Sequence, residues 1–571
     1  MTSTPRDLAF AALAALVTGG CFLLALPFAD LGSNDDWSYA YSALRYAQTA
    51  RLEYVGWAST LLLFQVPYGA LLIRWFGFSF DLLRLATLPF SLGCAVLLYS
   101  VFRLLRLERR DALFGTLTLT TSPLFTPLSA SFMPDVYGLC FTLACLYCGL
   151  RALLSDSDAG AAVWLVAATT VGFAGGANRQ IVWVAPIAVL LSFLWVKRRR
   201  PLVALAAALL AALLAGVFWV MRWYQTQPSA MYESPDLKQL LIFLGNPYLT
   251  SRLVLSTGLF LLPALLYRLP AWKCLPAWYY AVSVAAGVLY YVRPGESFAS
   301  RLAPWMSNIV MPRGILGPGQ DLPGDKPVVL TLPVRGLLTL AILGALSVWL
   351  FHFGRWIGTV WRKPWRHLRR LLAAGEASPA PFLLLSFFAG GTFLLSIGRP
   401  SGTFFDRYLL TLMPVGLIAV LGARPRPEVR VSPIAGWLAL ALFAAYGVAT
   451  THDYHATSRA RVGAASLLQS AGVPRQHICA GFEFDGWTQL LATGYIRATT
   501  ARPPAGTLQD LRPGWMTAPF WFLAHTPSIE PRYVVTFSPG MGLLPSSFAP
   551  ISYSAWLPPF QRRLWIMKTA R

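Results

Sequence analysis

The feature that most constrains this chain is the return, thirteen times, of apolar stretches near the length that crosses a bilayer. A helix needs about 20 predominantly apolar residues to span the hydrocarbon core. The candidates are 8–28, 82–102, 112–130, 136–154, 160–177, 180–196, 202–222, 252–267, 276–292, 334–352, 380–397, 408–422 and 432–450. In lipid each backbone N–H and C=O has to be paired within the segment, so such runs read as helices. Only 12% of the 571 residues are charged, against about 25% in an ordinary soluble domain. The expectation is an all-α polytopic membrane protein with about 13 transmembrane helices.

The net charge of +23 would suggest nucleic acid in a soluble protein. Here the basic residues fall in short clusters after even-numbered spans, such as Arg103 to Arg110, Lys197 to Arg200, Arg268 with Lys273, Arg355 to Arg370, and Arg424 to Arg430. They read as topology signals and headgroup anchors, so no nucleic-acid partner is expected. With the N-terminus inside, every cluster is cytoplasmic. Arginine in excess of lysine, with abundant Ala, Gly and Pro, suggests a GC-rich bacterial genome and a multi-pass protein of the bacterial inner membrane. The first span has no small-x-small cleavage site before Asp35 and reads as a retained anchor. The seven cysteines form no disulfide framework, and Cys145-x-x-Cys148 lies inside a span, where core packing explains it.

Two units follow. Residues 1–451 form the transmembrane domain, with a long outer loop at 29–81. Its apolar part, Trp57 to Phe76, is interrupted by Gln65, Pro67 and Arg74 and suits an interfacial amphipathic helix. Residues 452–571 lose the long apolar runs and read as a small extracytoplasmic α/β domain, with strands expected at 478–482 and 533–537.

The acidic residues are few, and their positions are informative. Asp35 and Asp36 follow span one directly, and Asp135 opens span four after Pro134. Ionisable groups at the ends of membrane helices are costly to place and mark sites. The same threading brings Arg179, Arg399, Asp406 and Arg407 to that face. A carboxylate within reach of a hydroxyl can act as general base. Guanidinium groups bind phosphate oxygens and stabilise charge growing on a leaving group.

These residues resemble a known family. Asp35-Asp36-x-x-Tyr39, Pro134-Asp135, Gly175-Gly176-Ala177-Asn178-Arg179, and Arg407-Tyr408 with Pro414 are similar, in order and sidedness, to the motifs of the GT-C superfamily of polyprenyl-phosphate-sugar-dependent glycosyltransferases. The nearest likeness is to bacterial relatives of the protein O-mannosyltransferases and the lipid A aminoarabinose transferase. The resemblance covers about residues 1–200 and 380–455, with the middle matched by layout. It implies a GT-C fold and transfer of a sugar from a polyprenyl-phosphate donor to a lipid, glycan or protein hydroxyl. Asp35, Asp36 and Asp135 would be catalytic; Arg179, Arg399, Arg407, Tyr39 and Tyr408 would bind substrate. No cofactor is required by the motifs, and Mg²⁺ or Mn²⁺ on Asp35, Asp36 and Asp135 is left open. Asp36 stands where the family usually has Glu, and Arg179 where Lys is common.

Each residue also has a plainer role open to it. Asp35, Asp36 and Asp135 can cap helices, Arg179, Arg399 and Arg407 can anchor helix ends, and Asp406 can pair with Arg407. His452-Asp453-x-His455 reads as surface histidines on an exit segment rather than a metal site. Trp37 and Tyr39 are candidates to stack on a sugar. The rival function classes are a transporter or flippase for a lipid-linked saccharide, which predicts mid-membrane charges and repeat symmetry, and a non-catalytic scaffold.

Overall fold

The computed structural model describes the chain except residues 1–3, 58, 197–199, 232–235, 270–274, 293–296, 318–321, 363–379, 399–403, 423–432, 497–520 and 570–571. Arg399 and most of the basic clusters expected on the cytoplasmic side therefore lie outside the described residues. The helices are α1 (Pro5–Leu24), α2 (Asp36–Thr49), α3 (Gln65–Phe76), α4 (Phe80–Leu104), α5 (Arg109–Thr120), α6 (Phe125–Ser129), α7 (Pro134–Leu153), α8 (Asp158–Asn178) and α9 (Val184–Val196). They continue with α10 (Arg200–Gln225), α11 (Leu237–Gly245), α12 (Pro247–Tyr267), α13 (Ala277–Val292), α14 (Leu332–Arg362), α15 (Ala380–Ile397), α16 (Leu409–Gly422), α17 (Ile434–Ser470) and α18 (Phe482–Thr493).

Every expected span coincides with helical residues, but among the described residues fewer than thirteen are full-length. Among the described residues nine helices are long and apolar enough to cross a membrane. The expected span 112–130 is instead α5, a break at Thr121 to Leu124, and α6. Pro123 lacks the N–H that a continuous helix requires there. All of α5 from Asp111 to Thr120 is buried in protein, so its short length leaves no backbone facing lipid.

The bundle has two distinct ends. At one, Asp7 of α1 meets Arg103 and Arg109 at 2.9 and 3.0 Å. There too, Asp111 accepts from Tyr267 at 2.9 Å and pairs with Arg268. At the other, the turn after α1 meets the start of α4. Asp81 accepts from the Ala29 N–H at 3.0 Å, and Asp30 from the Phe80 N–H at 2.9 Å. This end also gathers α2, α3, the start of α7, the end of α8, the start of α16 and the loop 297–331. Within the segment Trp57 to Phe76, where an interfacial helix is expected, α3 covers Gln65–Phe76, with Trp75 and Phe76 at its exposed end.

The expected boundary at 451/452 falls inside α17, which runs unbroken for 37 residues. Proline is absent from 434 to 473, so nothing interrupts the helix between Pro433 and Pro474. Beyond it lie β1 (Ile478–Cys479), β2 (Tyr533–Thr536), β3 (Leu544–Pro545), β4 (Ile551–Ser554) and β5 (Gln561–Lys568). β1 pairs parallel with β2; β5 pairs antiparallel with β2, β3 and β4, with Thr536 opposite Trp565. Both expected strands are present, shortened because Phe482 already starts α18.

His452, Asp453 and His455 are not surface residues on a flexible exit. All three are buried on α17. Asp453 accepts from the N–H groups of Trp556 and Leu557 at 2.6 and 3.1 Å and from Arg562 at 3.0 Å. The His452 ring stacks on Trp556 at 4.1 Å. His452 and Asp453 join the helix to the connection between β4 and β5.

Candidate functional site

The site forms where four chain segments converge, and each is held by a local device. Asp35 immediately precedes α2, but its side chain makes no capping hydrogen bond. The carboxylate turns away instead. Oδ1 accepts from Trp57 Nε1 at 2.9 Å and Oδ2 from Arg407 Nη1 at 3.2 Å. Its side chain keeps 18% exposure, the most of the three expected catalytic carboxylates.

Asp36 is 1% exposed. Oδ1 accepts from the Ser33 N–H at 2.5 Å and Oδ2 from the Phe132 N–H at 3.0 Å. Burial pushes its carboxyl up to about 7, against the opposing effects of Arg84 and of those two N–H groups. The structure thus places Asp36 as a strut between the first outer loop and the segment leading to Asp135. A Cβ on Gly32 would meet Trp37 Cβ at 2.9 Å and Asp36 Oδ1 at 3.0 Å, so only glycine lets the loop close over this strut.

Asp135 enters through Pro134 at the first helical position of α7, where a missing N–H costs nothing. Met133 makes no capping contact, and among the described residues the Asp135 oxygens accept no hydrogen bond. They lie in ion contact with Arg179, the residue that closes α8. Gly138, one turn into α7, makes room for this pairing, since a Cβ there would stand 3.0 Å from Arg179 Cδ.

The end of α8 is stitched to the first outer loop. Asn178 is fully buried, and its Oδ1 accepts from the Gln65 N–H at 2.9 Å, while its C=O accepts from Leu62 at 3.0 Å. Gln65 Nε2 then donates to the Phe132 C=O at 2.6 Å. Gln65 thus links the segments that carry Asp36, Asp135 and Arg179. In the sequence it was visible only as a polar interruption of an apolar run.

Arg407 sits on a 3-10 turn, Asp406–Tyr408, just before α16. Asp406 does not pair with its guanidinium as expected. Buried to 1% exposure, it accepts from the N–H groups of Ile309, Val310 and Arg407 at 2.8 to 3.2 Å. Three main-chain donors satisfy it, and they pin the turn to the outer loop. Burial pushes the Asp406 carboxyl up to about 6, with those same N–H groups opposing. For Arg407 burial disfavours the charge, but Tyr408, Asp35 and Asp135 more than offset this and hold the proton more tightly than usual. Its guanidinium lies over Phe405 and Tyr408, at 5.4 and 5.7 Å from the ring centres.

Tyr39, on the first turn of α2, is buried and hydrogen bonded with Thr60. Burial and the charges of Asp35 and Asp135 raise its phenol, with Arg407 opposing. Asp35, Asp135, Tyr39 and Arg407 therefore share one electrostatic environment, and Arg179 joins it through Asp135. Trp37 is fully buried among Trp57, Phe482 and Phe522. That packing closes its faces to a sugar.

The C-terminal unit reaches this site directly. Glu483, fully buried, accepts from the Asn34 N–H at 3.3 Å and Tyr454 at 2.7 Å, and pairs with Arg461 at 2.8 Å. Neither Glu483 nor Trp57 had a signal in the sequence, because each acquires its partner only across the fold.

Residues 68–223 match the family model described as dolichyl-phosphate-mannose-protein mannosyltransferase. No curated protein sequence matches the chain. Among solved structures it is similar to the Archaeoglobus fulgidus oligosaccharyltransferase in the apo form, at 14% identity and a TM-score of 0.44, over 92% of this chain. It spans 64% of the length of that protein. It is also similar to ArnT from Cupriavidus metallidurans bound to undecaprenyl phosphate, at 14% identity and a TM-score of 0.37, covering 100% of this chain and 99% of that one. The resemblance to GT-C membrane glycosyltransferases read from the motifs stands on the family match, which includes Asp135 and Arg179.

Proposed function

We propose that this protein is a membrane glycosyltransferase that moves a sugar from a polyprenyl-phosphate donor to a hydroxyl of a lipid, glycan or protein acceptor, with inversion. The observation that carries the reading is the convergence of Asp35, Asp135, Arg179 and Arg407 in a chain matched to a mannosyltransferase family. The half-buried Asp35 carboxylate takes the acceptor proton as the hydroxyl oxygen attacks the sugar's anomeric carbon. The bond from that carbon to the phosphate oxygen breaks on the opposite face. The phosphate departs with the bonding pair, and its added charge falls to Arg407 and Arg179. Arg407 exchanges its contact with Asp35 for a phosphate oxygen, which frees the base as the donor arrives.

Asp36 has both oxygens occupied by main-chain N–H groups, so its role in this reading is to hold Asp35 and Asp135 in register. A divalent cation fits poorly. Asp36 is committed, Asp35 and Asp135 each face an arginine, and among the described residues no group of three His, Cys, Asp or Glu side chains comes together. No step is routed through one. The arginine-rich opposite end supports a cytoplasmic orientation there, with the site facing outward from a bacterial inner membrane.

Lipid analysis of a deletion strain tests the reading. The strain should accumulate one polyprenyl-phosphate sugar, cleared by the wild-type gene and not by Asp35→Asn. An unchanged lipid profile would overturn it.

A further inference from the structure

A general base works only if its carboxylate is aimed, and the terminal torsion of Asp is broad and weakly staggered on its own. Asp35 has two contacts that settle that torsion, one on each oxygen. The Arg407 contact is charged and is the one a donor phosphate would draw away. The other comes from Trp57, a half-buried residue in the connection between α2 and α3, whose indole N–H reaches Oδ1 at 2.9 Å.

The Trp57 ring is itself set by residues far along the chain. It packs against Trp37 at 5.8 Å, Phe482 at 5.6 Å, Phe522 at 5.3 Å and His525 at 5.6 Å, with the last two edge-on. Phe482 opens α18, and Phe522 and His525 belong to the turn at 521–525. Two residues before Trp57, the Val55 C=O accepts from the Ile496 N–H at 2.9 Å. Indole and main chain are thus both held by the C-terminal unit.

We infer, on the reading of Asp35 as general base, that Trp57 is the positioning residue for that base and that the C-terminal domain keeps it in place. When Arg407 moves to the phosphate, the indole N–H remains on Oδ1 and Oδ2 stays aimed at the acceptor hydroxyl. The transferred proton ends on Oδ2, while Oδ1, now carbonyl-like, continues to accept from Trp57. The C-terminal domain then acts on catalysis without touching the reacting atoms.

The test uses the full-length protein in lipid nanodiscs, with the polyprenyl-phosphate sugar purified from the deletion strain, and reads release of polyprenyl phosphate. Trp57→Phe keeps an aromatic ring in the box and loses only the donor. Its kcat should fall about tenfold, equivalent to about 1.4 kcal/mol on the barrier, with donor KM within about twofold. That split marks loss of an interaction made in the transition state rather than in binding. Phe522→Leu, which loosens the box and leaves the donor, should lower kcat less, again with donor KM held. Added to Asp35→Asn and followed by single turnover at excess enzyme, Trp57→Phe should cost nothing further, because the carboxylate it aims is gone. If Asp35→Asn falls beneath detection, the kcat against KM split decides alone. Wild-type kcat in Trp57→Phe beside an inactive Asp35→Asn overturns the inference and leaves the proposed function standing. So does an equal fractional loss in both backgrounds. Near-wild-type turnover in Asp35→Asn defeats the base assignment itself.

Discussion

The two ends of the bundle both carry arginine–carboxylate pairs, and they are built differently. At the Asp7 end the carboxylates are saturated. Asp7 accepts from Thr4, Tyr99, Arg103 and Arg109, and Asp111 accepts from Tyr267 and Arg268. At the Asp35 end both Asp35 oxygens accept, but the Asp135–Arg179 pair is under-coordinated. Among the described residues the buried Asp135 oxygens accept no hydrogen bond and have only their ion contact with Arg179. Saturated pairs latch helices together; the incomplete one leaves capacity for a ligand that brings hydroxyls.

The sharpest way to break that contrast is to remove one carboxylate from each end. Asp35→Asn should lower turnover by about 10²–10⁴-fold, the usual worth of general-base assistance, with the protein still folded by size-exclusion chromatography. Asp7→Asn should leave turnover within a few-fold of wild type and lower thermal stability instead. Equal loss of turnover from both would show that the two ends do not differ in kind.

A smaller effect is expected from the arginines. Arg407→Ala and Arg179→Ala should each raise donor KM and lower kcat, by up to about 10²–10³-fold in kcat for a true leaving-group contact. Lysine at either position should restore only part, because it cannot make the two-point contact of a guanidinium. Arg268→Ala at the opposite end should change stability and leave donor KM as it was. Free exchange of lysine for Arg407 and Arg179 would point to headgroup anchoring.

Gly138→Ala is a still finer probe. The added methyl presses on Arg179 Cδ at 3.0 Å without removing any charge. Donor KM should rise a few-fold while stability changes little. An unaltered KM would mean that Arg179 can shift without consequence for the donor.

The smallest effect concerns acid–base balance in the supporting shell. Asp485, buried on α18 and accepting from the Ala480 N–H at 3.0 Å, and Asp36 are pushed up to about 7 and Asp406 to about 6, in each case chiefly by burial. A carboxyl whose folded value lies above its unfolded one of about 3.9 binds its proton more tightly in the native state. The stability this contributes is complete below about pH 4 and is lost as pH rises through 6 to 7. Asp485→Asn, in the C-terminal unit, should flatten the fall of Tm between pH 4 and 7 by a few degrees without changing turnover. A slope identical to wild type would remove Asp485 from that balance.

Periodicity and charge alone determined a great deal. Apolar length placed helical residues at every expected span, because lipid leaves a backbone no alternative to internal hydrogen bonding. The clustering of arginines suggested an alternation of sides, and the rarity of acidic residues drew attention to Asp35, Asp135 and Arg407, three groups that share one electrostatic environment. Tertiary structure decided what neighbours in sequence cannot show. Asp35 and Asp36 are adjacent and chemically identical. One turns toward Arg407 and Trp57 with partial exposure, while the other is walled in by two main-chain N–H groups 96 residues apart in one case and three in the other. Likewise His452 and Asp453 looked solvated until α17 proved continuous and the connection between β4 and β5 closed over them. The reason is the same throughout. A segment's hydrophobicity is a local sum that the sequence contains, whereas a carboxylate's burial and partners depend on which distant chain arrives beside it.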